Sequence, residues 1–398
     1  MTVIDRITHF VKDRKIAVLP LLQRASASNS CMIPSTSDIN SERVRGWIKD
    51  KLKRRRPFFR LIYGYRALRH GMMSWIRGKR GAKAYMVSSV SFLTGSDTVA
   101  GRPMNVTLEP TNACNLGCPV CETGARTLER PTEHMSVANF QTIVDKIAHF
   151  TNTLLFYYMG EPFLNRNAYE MIRYAKSKGI PLITTCTNGD FVDAEKVVLS
   201  GLDEISFQIG GMTQETHEIY RINSNLSRVL ANLKATVDAR NRHKSKMRIG
   251  SGFILMKHNE HEVPLFQKTM AEWGVDQPIV IDPCVRTYEQ GLLYLPTDKK
   301  HWFYDSEAFA KQVLKPQFLP PNECPWLYYA LTIHVNGNVV PCCRDPRGEH
   351  IMGNILTESM DEVWNGTKFR EFRRNLHQDQ SKISICRLCS SYSPPPLQ

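Results

Sequence analysis

Three cysteines lie close together on one short segment, at positions 114, 118 and 121 of the sequence TNACNLGCPVC. Three thiolates within eight residues can bind three irons of a [4Fe–4S] cluster. The fourth iron then keeps an open coordination position, which usually indicates a catalytic rather than a structural metal site. The alternative is a zinc ion, which normally completes its four ligands nearby, but no His or Cys follows within ten residues of Cys121.

A second set of cysteines lies in the C-terminal part of the chain, at Cys324, Cys342, Cys386 and Cys389. The intervening sequence TIHVNGNVVPC predicts a β-hairpin with Asn336-Gly337 at its turn. Such a hairpin would bring the first two of these thiols together, and the C-x2-C pair would complete a four-thiolate site. Four thiolates suit either a structural zinc ion or a second iron–sulfur cluster.

Length and composition indicate the class of protein that carries these cysteines. The chain has 398 residues, of which 42% are hydrophobic, enough for a substantial core. No apolar run approaches ~18 residues, so the sequence predicts no transmembrane helix. The first residues, MTVIDRITHF, carry charges where a secretory signal would be apolar. Eleven cysteines clustered at short spacings therefore predict metal ligands in a cytoplasmic, reducing environment rather than disulfides.

The positive charge of the chain is concentrated in one segment. Between Arg43 and Lys83 there are fifteen Lys and Arg residues against the single acid Asp50, which accounts for the whole net charge of +14. Such a segment fits either an anionic membrane surface, with the protein peripheral to the membrane, or a helix whose apolar stripe packs on the catalytic domain. Nucleic acid is disfavoured because no base-reading module follows. The apolar residues recur at helical spacing: Phe58, Leu61, Ile62, Tyr65, Leu68, Met72, Trp75 and Ile76.

From Met104 onward, strand-like and helix-like segments alternate. This alternation predicts parallel β/α units with right-handed crossovers, in which the chemistry lies at the carboxyl ends of the strands. The first cysteine segment follows the first strand, where that rule would place it. The predicted strands are Met104–Glu109, Thr153–Met159, Pro181–Cys186, Glu204–Ile209, Met247–Leu255 and Pro278–Asp282, and the main predicted helices are Val137–Phe150, Ala168–Lys178, Leu226–Arg240 and Glu262–Trp273.

The C-x3-C-x2-C spacing directly after an apolar strand resembles the radical S-adenosylmethionine (radical SAM) superfamily. The resemblance implies an α/β fold, a partial (β/α)6 barrel, and a [4Fe–4S] cluster whose open iron binds SAM. It also implies a one-electron reductant such as flavodoxin or ferredoxin, and a 5′-deoxyadenosyl radical that abstracts a substrate hydrogen. One residue departs from the pattern: the position before the third cysteine is typically aromatic, and here it is Val120.

Further residues at strand ends resemble the SAM-binding positions of this family. Gly160 and Glu161 in MGEP resemble the GGE motif, whose carboxylate accepts a hydrogen bond from the SAM amino group. Asn188, in Thr-Asn-Gly, ends the third strand as the family's TNG does. Ser206 in SFQ lies where the family often has Ser-x-Asp, with Gln208 in place of the acid. Arg221 either pairs with the SAM carboxylate or is a helix-surface arginine.

The C-terminal cysteines resemble a known auxiliary domain. The spacing Cys324…Gly337…Cys342 resembles the opening of the SPASM domain, and the cysteine count resembles its shorter, twitch-like form with one auxiliary [4Fe–4S] cluster. The expected organisation is therefore a basic helical N-terminal extension over residues 1–100, a radical SAM core over 101–300, and an auxiliary cluster domain over 318–392.

The resemblance leaves the reaction open. The expectation is dehydrogenation of a sugar, lipid-linked or peptide substrate, with the auxiliary cluster accepting an electron. An epimerase is an alternative, in which Cys284, after the sixth strand, donates a hydrogen atom to the substrate radical. Relatives also mature ribosomal peptides by forming thioether or carbon–carbon links. A different class of function is a non-catalytic zinc-binding protein with a basic arm.

Overall fold

The computed structural model describes residues 56–79, 81–316 and 322–389. The predicted connector between Ser26 and Ser41, and the basic residues before position 56, lie outside the described residues. Within the described ranges, no helix combines the length and the apolar character needed to cross a bilayer.

A nine-stranded sheet forms the centre of the protein, in the order β6-β5-β4-β3-β2-β1-β7-β8-β9. The first six strands are all parallel, with each strand beside the next one along the chain. This arrangement confirms the predicted series of β/α units, and all six predicted strands are present. The strands are β1 (Asn105–Leu108), β2 (Thr153–Leu155), β3 (Leu182–Thr187), β4 (Glu204–Ile209), β5 (Arg248–Ile254), β6 (Gln277–Ile281), β7 (Ala330–Ile333), β8 (Asn338–Val340) and β9 (Gly353–Asn354).

Helices between the strands bury one apolar face each. In the helix after β1, Phe140, Ile143 and Val144 are fully buried, as their spacing of three and four residues predicts. Ser136 caps this helix by accepting a hydrogen bond from the Asn139 amide. The described helices are α1 (Arg56–Ile76), α2 (Ala82–Thr94), α3 (Val137–Ile147), α4 (Ala168–Ser177), α5 (Ala194–Leu199), α6 (Gln214–Tyr220), α7 (Leu226–Arg242), α8 (Val263–Glu272), α9 (Tyr288–Tyr294), α10 (Ser306–Ala310), α11 (Trp326–Tyr329), α12 (Met360–Trp364) and α13 (Thr367–Asp379).

A hairpin between Cys324 and Cys342 extends this sheet. Strands β7 and β8 are antiparallel, and Gly337 at their turn has φ 84°, so the predicted hairpin is confirmed. Strand β7 also pairs in parallel with β1, with Leu108 opposite Ile333, which the sequence did not predict. The carboxyl ends of β1 and β7 therefore lie side by side. The core cysteine loop follows β1, whereas Cys324 precedes β7 and Cys342 follows β8.

Helix α1 is present as predicted, and most of its apolar stripe is exposed. Gly64 and Gly71 face α2 so closely that an added Cβ would lie 2.3 Å from Leu93 and 2.6 Å from Met86. Small residues thus allow the two helices to approach, and Phe59 and Tyr63 pack against Phe92 of α2. Packing of the whole apolar stripe on the domain is contradicted, because five of its residues are exposed: Leu61, Tyr65, Met72, Trp75 and Ile76.

Candidate functional site

The three core cysteines lie on a compact loop directly after β1. Cys118 is buried, whereas Cys114 and Cys121 are half-buried, and none of the ten cysteines in the described ranges forms a disulfide. At Gly124 an added Cβ would lie 2.4 Å from the Cys118 amide nitrogen, so only glycine allows the loop to close on itself. The loop is therefore held in a shape that presents three thiols together.

Backbone amides point at the sulfurs of this loop. The Leu116 amide donates to Cys114, and the amides of Thr123 and Gly124 donate to Cys121. Burial raises the pKa of Cys114 to about 12, so the bare thiol is protonated and a bound metal would displace its proton. Hydrogen bonds to sulfur stabilise thiolates and tune iron–sulfur clusters. The loop therefore fits a cluster ligand set.

Two side chains from other elements also reach the cysteine loop. The Asn188 side-chain amide lies 3.9 Å from Cys114 Sγ, and Arg221 Nη1 lies 3.8 Å from Cys118 Sγ. Arg221 Nε is buried and has no hydrogen-bond partner among the described residues. Arg221 therefore faces the cysteine loop rather than solvent, with one polar group available for a ligand.

The turn after β2 packs directly on the cysteine loop. Gly160 has φ 79°, and an added Cβ would lie 2.6 Å from the Ala113 carbonyl and 2.7 Å from the Thr111 carbonyl. The Glu161 amide donates to the same Ala113 carbonyl at 2.8 Å. Glycine is therefore required here both for its positive φ and for the close approach of two backbones.

The Glu161 carboxylate joins the ends of β2 and β3. It accepts hydrogen bonds from Thr187 Oγ1 at 2.8 Å, the Asn188 amide at 2.7 Å and the Phe163 amide at 3.2 Å. Burial raises its pKa to about 7. The oxygen that binds Asn188 retains a lone pair, so the group can still accept a hydrogen bond from a ligand.

A row of side chains crosses one face of the sheet at mid-strand. Cys186, Ser206, Gly250 and Gln277 are opposite one another in register across β3 to β6. Ser206 accepts a hydrogen bond from the Gln208 amide at 3.0 Å. Since residues two apart on a strand share a face, Ser206 and Gln208 lie on the same side, and both are half-buried.

The C-terminal thiols also lie together. Cys324 and Cys342 pack against Trp326, and the Arg344 amide donates to Cys342 Sγ at 3.4 Å. Burial, followed by the neighbouring thiols, raises the pKa of Cys342 well above its ordinary value. These neighbouring thiols are Cys343, Cys386, Cys389 and Cys324.

Across the described ranges, no three His, Cys, Asp or Glu side chains converge closely enough to bind one metal ion. Cys343 lies within the C-terminal set, although the sequence pattern assigns it no role.

The remaining predicted site residue, Cys284, lies after β6. Its sulfur is 3.9 Å from Arg344 Nη2, and it packs beside Val285 and Tyr304. The structure therefore brings Cys284 near the C-terminal set through Arg344. Nothing local in the sequence marks this contact, because the two residues are sixty positions apart.

A buried ion pair connects the two cysteine regions. Arg130 donates two hydrogen bonds to Glu109, at 2.7 and 2.8 Å, and a third to the Pro346 carbonyl at 2.6 Å. Glu109 also accepts from the Val335 amide at 2.9 Å. No sequence pattern predicts this pair, since a charged residue after a strand carries no signal that distinguishes it from a surface residue.

Comparison with known proteins identifies the family. A family model described as the radical SAM superfamily matches residues 108–264, which include the cysteine loop and all the predicted SAM-binding positions. The chain belongs to the radical SAM superfamily. A second model, the SPASM iron–sulfur cluster-binding domain, matches residues 324–390 and thus the C-terminal cysteines. The protein is therefore a radical SAM enzyme, with SAM and a [4Fe–4S] cluster as cofactors and a domain for auxiliary iron–sulfur binding.

Relatives of known function differ in what they do. An AdoMet-dependent heme synthase of Methanosarcina barkeri is 26% identical over 71% of this chain and 88% of that protein. A PqqA peptide cyclase of Xanthomonas campestris is 22% identical over 72% of this chain and 79% of that protein. The structure of Streptococcus suis SuiB bound to S-adenosylmethionine has a TM-score of 0.55 and 11% identity, over 78% of this chain and 77% of that one. At that identity the last similarity shows the fold alone.

Proposed function

We propose that this enzyme cleaves SAM reductively, abstracts a hydrogen atom from its substrate, and dehydrogenates that substrate. The observation that carries the proposal is the meeting of three elements at one end of the sheet. Asn188, which is bonded to Glu161, contacts Cys114 of the loop, and Arg221 contacts Cys118 of the same loop.

Each residue has a proposed role. The three cysteines of the loop bind the catalytic cluster, and Cys324, Cys342, Cys386 and Cys389 bind the auxiliary one. Gly160 and Glu161 receive the SAM amino group, Asn188 and Ser206 contact SAM, and the buried Arg221 pairs with its carboxylate. We further propose domain boundaries of 101–300 for the core and 318–392 for the auxiliary domain.

The proposed net reaction removes two hydrogens from the substrate. One leaves as a hydrogen atom that becomes part of 5′-deoxyadenosine, and the other leaves as a proton and an electron. When bound, the two clusters would supply the electron for SAM cleavage and an acceptor for the electron removed. A reductant such as flavodoxin or ferredoxin would provide the first electron. Dehydrogenation is preferred over epimerisation because the SPASM match over residues 324–390 supports an auxiliary cluster that would accept the electron.

Peptide modification is a second candidate. It is supported by the similarity to the PqqA peptide cyclase, which extends over most of both chains. The substrate of a dehydrogenase would be a sugar, a lipid-linked molecule or a peptide, whereas a maturase would act on a ribosomal peptide.

The experiment that tests the class is anaerobic purification followed by iron, sulfide and zinc analysis and a SAM cleavage assay. We expect a brown protein with about eight irons per chain for two [4Fe–4S] clusters, and 5′-deoxyadenosine formation with dithionite. About two zincs per chain and no SAM cleavage would instead establish the zinc-binding alternative. In deuterated water, deuterium at the product carbon without loss of two mass units would establish epimerisation, with Cys284→Ala as the variant that blocks it.

We also propose that helix α1 binds an anionic membrane surface, which would make the enzyme peripheral to the membrane. Trp75 and Ile76 are 62% and 68% exposed, on the same side as the other exposed apolar residues of α1. Arg66, Arg69 and Arg77 are also exposed, as expected for a helix in a bilayer interface. A second copy of the chain is a poor occupant for this face, because two strongly basic segments would repel each other.

Co-sedimentation with phosphatidylglycerol vesicles tests this surface. We expect binding that weakens with salt, because exposed charges are screened beyond ~10 Å at 0.1 M. Trp75→Ser with Ile76→Ser should weaken it at least ~10-fold, since burying each side chain contributes roughly 1.5–3 kcal/mol. The matched control is Leu199→Ser with Leu265→Ser, which removes two equally exposed apolar residues elsewhere. Equal binding to neutral vesicles, or no effect of the α1 substitutions, would exclude the proposal.

A further inference from the structure

A cavity of about 910 Å³ lies between the core cysteine loop and the C-terminal cysteine set. Its wall includes Pro119 and Val120, which lie between two core cysteines, and Arg344, which follows Cys342 and Cys343. The volume is in the range that accommodates small organic ligands. None of the residues that we assign to SAM lines it, so the cavity is available for a second reactant.

Positive charge dominates this cavity. Arg286 and Arg344 are half-buried, whereas the other three cationic residues are exposed and lie at its rim. Two acids, Glu122 and Glu349, also contribute to the lining. A cleft with an excess of one charge raises the local concentration of oppositely charged ligands. The rim cations are Lys315, Arg347 and Arg387.

The two acids neutralise only part of this positive charge. Glu122 pairs with Arg286 Nη2 at 3.0 Å, and Glu349 accepts a hydrogen bond from Ser384. Even with this ion pair, Arg286 Nε is buried and has no hydrogen-bond partner among the described residues. Arg344 Nη2 donates to the Leu388 carbonyl at 3.5 Å and contacts the Cys284 sulfur at 3.9 Å.

We propose that this cavity binds the substrate through an anionic group, a carboxylate or a phosphate, held by Arg286 and Arg344. The inference rests on the proposed function and names the substrate class that it leaves open. Guanidinium groups match the geometry of both oxyanions and bind them through paired, charge-assisted hydrogen bonds. The two inner arginines come from different segments, after β6 and after Cys343. An anion held between them would lie beside both cysteine sets.

The competing role for these arginines is to compensate the negative charge of thiolate-bound clusters. That role predicts a change in cluster properties, without any dependence on an added anion. The two roles therefore separate in an experiment that measures anion binding and cluster properties in the same variants.

The test is isothermal titration calorimetry of the anaerobically reconstituted full chain at low salt, with citrate as the carboxylate probe and pyrophosphate as the phosphate probe. We expect one site, and at least ~10-fold weaker binding in Arg286→Gln and in Arg344→Gln, since each loses a charge-assisted hydrogen bond. The control is Arg374→Gln, which removes an exposed arginine that pairs with Asp97 on another surface. The probe that binds more tightly shows whether the anionic group of the substrate is a carboxylate or a phosphate.

A second measurement uses only the wild-type chain and so does not depend on how the variants fold. Phenylglyoxal modifies accessible arginines, and peptide mass spectrometry should show Arg286 and Arg344 protected by the probe, with Arg374 unaffected. Binding that is absent, or equal in all variants with no protection, would overturn the proposal. So would shifted cluster potentials with unchanged anion binding. Wild type that fails to produce 5′-deoxyadenosine would refute the proposed function instead, independently of these titrations.

Discussion

The two cysteine sites of this enzyme are assembled in different ways. The core site takes all its thiols from one loop of eight residues, closed by Gly124 and supported by amides of the same loop. The C-terminal site takes its thiols from Cys324 to Cys389, and it requires α11, the β7–β8 hairpin and the last described turn. The core site therefore depends on local conformation, whereas the C-terminal site depends on the fold of the whole domain.

Replacing Cys118 with alanine should have the largest effect, because two remaining thiolates cannot hold a cluster with one iron open. We expect 5′-deoxyadenosine formation to fall to background and iron to decrease by about four per chain. The C-terminal iron should remain, since none of its thiols lies on that loop. Cys186→Ala is the control for the loss of a thiol, because Cys186 is half-buried and belongs to neither set. Unchanged SAM cleavage in Cys118→Ala would refute the assignment.

Replacing Cys386 with alanine should produce the opposite pattern. Iron should again decrease by about four per chain, but SAM cleavage without substrate should persist. Because metal binding contributes to folding where the ligands are distant in sequence, this variant should also melt at a lower temperature than Cys118→Ala. Equal melting temperatures of the two variants would show that the C-terminal site depends no more on the fold of the domain than the core site does.

The variant Cys343→Ala tests which thiols of the C-terminal set bind the auxiliary cluster. Cys343 lies among the C-terminal thiols but has no proposed ligand role. We expect it to retain full iron content. A loss of iron equal to that of Cys386→Ala would place Cys343 in the ligand set instead of its neighbour Cys342.

The same contrast explains what the sequence could predict. The core loop and all six parallel strands were predictable, because spacing and alternation are local signals. The pairing of β7 with β1 was not, since a short buried strand gives no indication of its partner. The packed face of α1 was also not predictable: an apolar stripe marks amphipathicity, but the close approach of two helices depends on small residues such as Gly64 and Gly71. Contacts such as Arg344 with Cys284 depend on the tertiary fold.

The ion pair of Arg130 and Glu109 connects the two regions, so its loss should affect both. The two side chains are 9% and 0% exposed. Arg130→Met leaves a buried carboxylate without its partner, and we expect a loss of about 3–5 kcal/mol in the free energy of unfolding. Urea unfolding measures this change, and the iron content of both sites should decrease under mild denaturant.

Arg374→Met provides the matched control for that variant. Arg374 pairs with Asp97 at 2.6 Å, with side chains 45% and 24% exposed, so its replacement should cost less than about 1 kcal/mol. If Arg130→Met were no more destabilising than Arg374→Met, the buried pair would not be what holds the two cysteine regions together.

The smallest predicted effect concerns two buried histidines, His217 and His334. Burial lowers the pKa of His217, on α6, to about 4, and that of His334, in the hairpin, to about 3. Both are therefore neutral in the folded chain, whereas the unfolded chain binds their protons below its ordinary histidine pKa of about 6.5. Stability should fall as the pH decreases from 6.5 toward 4, by up to about 1.4 kcal/mol per pH unit for each histidine.

His217→Asn keeps an acceptor for the Gly210 amide, which donates to His217 at 3.2 Å, but removes the titration. Urea unfolding between pH 7 and pH 5 should therefore show a shallower slope in this variant, and an unchanged slope would show that His217 does not contribute.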